Sequence, residues 1–147
     1  MVSLTRLTRK KLGEILVEQG LLSDAQVQDT LRLQHQLGLL FGETLVQQKM
    51  ITEEKMVAVL VSQFGLPYVL PSQYKINKEL LEIFDPQMMR RFQFVPMDSI
   101  GSVLVIAIAG LLSEDLLREI EGQTGCTLQL FLTKMSEINN VLLANGL

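Results

Sequence analysis

A displacement of 29 positions lays residues 11–34 over residues 40–63 of the chain. Seven pairs are then identical: Gly13/Gly42, Glu14/Glu43, Leu16/Leu45, Val17/Val46, Gln19/Gln48, Leu31/Leu60 and Gln34/Gln63. Conservative pairs such as Leu22/Ile51, Ser23/Thr52 and Asp24/Glu53 fill the intervals. A segment repeated at this period folds twice as the same supersecondary unit, and each copy leans on the other to bury its apolar face.

Within the first copy, Leu12, Ile15, Leu16 and Gln19 fall on one helical stripe, and Gly20 supplies a left-handed stop. Ser23 then stands as an N-cap with Gln26 completing a capping box, and Val27, Leu31 and Gln34 continue along one face of a second helix. The second copy repeats this with Leu45 and Val46, the cap Thr52, and Met56, Val59 and Leu60. Two αα-hairpins, four short helices in all, are therefore expected in residues 1–65. The helix from Met56 to Val61 is apolar almost all round, so it must be covered by the rest of the chain or by a partner.

From Leu66 to Pro71 two prolines forbid continuous helix, and the stretch reads as a linker into a second part, residues 66–147. Asn77 and Asp85 are expected caps, the latter followed by Pro86 at the favoured first position, so short helices are predicted over Lys78 to Phe84 and Pro86 to Arg91. Strands are predicted at Phe94 to Met97 and Val103 to Ala109 around a turn at Asp98 to Gly101, with a third from Cys126 to Thr133. Ser113 caps a helix to about Glu121, and a last helix runs from Lys134 to Ala144. The fold class is α+β: tandem helical hairpins followed by a small α+β half with about three strands.

Composition removes several function classes. The 147 residues carry 13 basic against 16 acidic side chains, a net charge of -3, which disfavours a bulk nucleic-acid binder. No apolar run approaches the roughly 20 residues of a membrane span, and the basic start Arg6, Arg9, Lys10 and Lys11 is not followed by a signal-type apolar stretch. A cytoplasmic location is the expectation. A lone cysteine, Cys126, and a lone histidine, His35, leave no disulfide framework, zinc set or Ser/His or Cys/His arrangement, so no metal and no catalytic residues are assigned. The paired acids Glu53/Glu54 and Glu114/Asp115 stand in first helical turns, where the helix dipole favours them. No Gly-x-x-x-x-Gly-Lys-Ser/Thr phosphate loop occurs, so the chain is not itself read as an ATPase.

Two repeated positions point toward a ligand. Gly13 and Gly42 sit at the start of short helices, where glycine costs about 0.5 to 1 kcal/mol relative to alanine. Close approach of an anion to a bare helical turn would offset that cost, and so would tight helix-to-helix packing. Gln34 and Gln63 extend the apolar stripes of their helices, and their amides either read a ligand or tie down nearby carbonyls. Each glutamine lies 21 residues after its glycine, so the duplication suits a ligand with two equivalent halves.

At these residues the chain resembles the N-terminal domain family of type II secretion and type IV pilus assembly ATPases, the MshEN family, which has a tandem 24-residue motif and whose members can bind cyclic di-GMP. The first copy reads Lys11, Leu12, Gly13, Leu16, Val17, Gly20 through Gln34, the spacer is His35 to Leu39, and the second reads Leu40, Phe41, Gly42, Leu45, Val46, Lys49 through Gln63. The resemblance implies a ligand-binding set of Lys11, Leu12, Gly13, Leu16, Gln34, Leu40, Phe41, Gly42, Leu45 and Gln63, with cyclic di-GMP as ligand and no required cofactor. The family opens each copy with arginine, whose fork pairs with guanine O6 and N7. Lysine at 11 and leucine at 40 forgo that contact, worth on the order of 1 to 3 kcal/mol each, and Lys49 replaces a turn glycine. Two functions follow as expectations. One is a non-catalytic cyclic di-GMP sensor. The other is a docking module for a secretion or pilus assembly component at the cytoplasmic membrane face, its nucleotide site lost.

Overall fold

Hydroxyl and amide caps set the helix boundaries. In the computed structural model, which describes residues 12–147, the first copy forms α1 (Leu12–Glu18) and α2 (Asp24–Leu37). Lys11 and the basic residues Arg6, Arg9 and Lys10 lie outside the described residues. Ser23 Oγ accepts from the Gln26 amide while the Gln26 side chain accepts from the Ser23 amide, the expected capping box. The second copy forms α3 (Phe41–Gln47) and α4 (Glu53–Phe64), with Thr52 Oγ1 accepting from the Lys55 amide.

The connecting turns repeat in hydrogen-bond detail. Leu21 N–H donates to Leu16 O and Met50 N–H to Leu45 O, each at 2.9 Å. Gly20 and its counterpart Lys49 donate to Val17 O and Val46 O, each at 3.0 Å. Both turn residues are left-handed, Gly20 at φ 72° and Lys49 at φ 58°, so the lysine adopts the backbone of the glycine it replaces.

After α4 the chain stays extended from Leu66 to Leu70 but is not a free tether. Leu132 N–H donates to Pro67 O at 2.8 Å, Val69 N–H donates to Leu132 O at 2.9 Å, and Leu66 is buried. A 3₁₀ turn (Pro71–Gln73) leads to α5 (Lys78–Leu81) and α6 (Pro86–Phe92), capped by Asn77 and Asp85. The helix expected to run to Phe84 closes at Leu81, and Phe84 instead packs edge-on against Phe94, ring centres 5.3 Å apart.

Strands β1 (Phe94–Ile100), β2 (Val103–Ile108) and β3 (Thr127–Leu132) form one sheet in the order β1-β2-β3. The expected turn at Asp98 to Gly101 is mostly strand. A bulge between Pro96 and Asp98 shifts the register, β1 continues to Ile100, and the reversal falls on Gly101 and Ser102, with Gly101 at φ 60°. β2 and β3 run parallel, which requires a crossover, supplied by α7 (Glu114–Thr124) after the loop Ala109 to Ser113. α8 (Met135–Ala144) closes the chain. The architecture is α+β, as the sequence implied.

One continuous core joins the helical repeats to the sheet: Ile15, Leu16, Leu45 and Leu60 belong to the same buried cluster as Phe94, Ile106 and Leu132. Each such side chain contributes about 1.5 to 3 kcal/mol by leaving water. The apolar α4 is covered by the chain's own second half. Glu53 accepts from the Ser136 amide and hydroxyl, both at 2.8 Å, and α4 packs on β3.

Candidate functional site

A concavity lies where the two motif copies meet the α+β half. It is a cleft of about 590 Å³, within the range of ligand pockets. The first copy lines it with Leu12, Gly13, Val27, Leu31 and Gln34, and the second with Leu40, Phe41, Gly42, Met56 and Leu60. The third wall is the crossover loop Ala109 to Ser113, together with Met135 at the start of α8.

The repeat gives the cleft an internal two-fold logic. A side chain built onto Gly13 would come within 2.9 Å of Val27 Cγ1 and 3.5 Å of Phe41 Cζ. One built onto Gly42 would come within 3.4 Å of both Met56 Cε and Leu12 Cδ2. Under the 29-residue displacement Val27 maps onto Met56, and Leu12 onto Phe41. Each glycine therefore admits a side chain of its own second helix and the residue preceding the other glycine. This close packing is sufficient reason for glycine at position 13, whereas the contacts at Gly42 are looser.

The ten residues implied by the resemblance separate into groups. Leu12, Gly13, Gln34, Leu40, Phe41 and Gly42 line the cleft. Leu16 and Leu45 do not: both have no exposed surface and form core beneath α1 and α3. Gln63 is half-buried on α4 but is not on the cleft wall, because α4 turns toward β3. Lys11 lies outside the described residues. Leu40, in an arginine position of the resembled motif, sits 3.7 Å from the point where a side chain on Gly110 would begin. Its side chain thus stands beside the crossover loop.

The electrostatics were not foreseen from the motif. Glu14, Asp24, Glu43 and Glu114 all border the cleft, and no lysine, arginine or histidine does so among the described residues. Glu43 accepts from the Leu40 amide at 3.1 Å, and Glu114 pairs with Arg118. Glu14 and Asp24 have no ion-pair partner among the described residues. A phosphate about 6 Å from one carboxylate is repelled by about 3 kcal/mol at an effective dielectric of about 20, before screening by solvent and salt reduces it. The crossover loop was also missed. Its one legible signal is position: it leaves the carboxyl end of β2 at a parallel crossover, where α/β proteins place ligands.

This arrangement, a tandem helical clasp set on a three-stranded α+β body, defines a class of fold already seen in solved structures. The structure is similar to that of MshE with cdg, cyclic di-GMP, at a TM-score of 0.67 and 22% identity, covering 93% of this chain and 99% of that one. It is also similar to the N-terminal domain of XpsE, at a TM-score of 0.61 and 20% identity, covering 88% of this chain and 90% of that one.

Residues 64–144 match the MshEN domain model, more than half of the chain, and the protein belongs to that family. The match begins at the last residue of α4, so the tandem motif precedes it. Among curated relatives, the type IV pilus assembly ATPase PilB of Thermus thermophilus is 25% identical over 129 residues, 86% of this chain and 14% of that protein. PilB of Myxococcus xanthus is 26% identical over 98 residues, 67% of this chain and 17% of that protein. The chain thus spans less than a fifth of the length of these relatives. No described helix is long and apolar enough to cross a membrane.

Proposed function

We propose that this chain is a non-catalytic docking module of the type II secretion or type IV pilus kind, and that its cleft receives another protein component of such a machine at the cytoplasmic membrane face. The observation that carries this reading is the cleft's charge. Four carboxylates and no described cation border a surface that a doubly anionic nucleotide would have to enter. Leu40, beside Gly110, is an apolar side chain with no group to offer a guanine or a phosphate.

A second reading, a cyclic di-GMP sensor, is favoured by the convergence of both motif copies on one cleft and by the likeness to MshE with cdg. Titration calorimetry with cyclic di-GMP separates the two. The docking reading expects a dissociation constant weaker than about 100 µM. A low-micromolar constant that is lost in Gln34→Ala overturns it in favour of the sensor.

A further inference from the structure

We infer that the occupant of the cleft is a basic amphipathic helix: a partner segment with apolar anchors on one face and lysine or arginine on its flanks. This inference rests on the docking reading above and names the partner's chemistry. The cleft is lined by apolar side chains such as Val27, Leu31, Phe41 and Met135 and by the carboxylates of Glu14 and Asp24, which have no ion-pair partner among the described residues. Apolar anchors and cations on one segment complement both features at once.

The segment must be helical because of what the walls are made of. α1, α2 and α3 are helices, so those walls offer no strand edge to pair with. An incoming chain that buries its backbone there has to satisfy its own N–H and C=O groups, which a helix does and an extended peptide does not. Helix-in-groove recognition also uses anchors spaced three and four apart.

The test measures fluorescence anisotropy of a labelled Leu/Lys amphipathic peptide of about five turns, and of its Leu/Glu counterpart, against the full chain. The Leu/Lys peptide is expected to bind at least about tenfold more tightly, and combining Glu14→Lys with Asp24→Lys is expected to weaken it at least about tenfold. Circular dichroism verifies that this variant folds, and the milder pair Glu14→Gln with Asp24→Asn is expected to fall between the two. Glu79→Lys with Glu82→Lys makes the same change in net charge on exposed acids away from the cleft and is expected to leave binding within about twofold.

Equal binding of the two peptides, or an equal loss in the remote pair, overturns the inference and leaves bulk charge attraction. Binding that appears only after Arg6, Arg9 and Lys10 are replaced by glutamine assigns the groove to the chain's own amino-terminal segment. Dimerisation abolished by the cleft substitutions assigns it to a second copy, and each of these outcomes also overturns the partner. Tight cyclic di-GMP binding by calorimetry removes the underlying docking reading, whereas absence of both peptide and nucleotide binding removes only the helix.

Discussion

At the scale of single residues, the two motif glycines look alike in sequence and differ in consequence. The position of a new methyl on Gly13 is 2.9 Å from a Val27 methyl, and valine is stiff at its branched carbon, so it cannot swing away. Gly13→Ala is expected to destabilise by about 1 to 2 kcal/mol despite the gain in helix propensity. Gly42→Ala meets the flexible tips of Met56 and Leu12 at 3.4 Å and is expected to stay within about 0.5 kcal/mol of the parent. Urea midpoints at unchanged slope measure both. Equal effects would mean that the packing asymmetry between valine and methionine does not decide the outcome.

At the scale of elements, the repeat predicts equal caps. Ser23→Ala and Thr52→Ala should each cost about 1 kcal/mol, and their sum should describe the double variant, because each hydroxyl serves its own helix start. Thermal and urea unfolding of the three variants checks this. These caps were legible in the sequence because capping is local: a hydroxyl bonds an amide three residues on, and no distant residue is consulted. The end of β1 was not legible, since the bulge at Met97 depends on how Asp98 meets Val105 across the sheet. The site was legible only in part for the same reason. Periodicity placed Leu16 and Leu45 on the same stripes as cleft residues, but which leucine faces the cleft and which the core depends on where the sheet packs. The wall at Gly110 comes from about 70 residues beyond Leu40, a separation over which no local pattern speaks.

At the scale of the whole molecule, the helical repeats and the sheet share one buried cluster, and the segment between them is bonded to β3. Unfolding should therefore be a single transition, with helix signal and tertiary signal coincident in urea. Two separated transitions would show that the halves fold independently. The edges of the sheet differ in how they are treated. β3 is bridged by Tyr68 at its last residue, Leu132, whereas β1 is an edge strand interrupted by Pro96 and the bulge that follows. An interrupted margin cannot serve as a template for a foreign strand, because proline withholds a donor and the bulge twists the ladder away. Where many copies are crowded together, this blunted border is expected to keep neighbours from stitching into fibrils. Pro96→Val should leave the folded monomer intact yet shorten the lag before thioflavin-positive aggregates form, and an unchanged lag would mean that the border is guarded by something other than its proline.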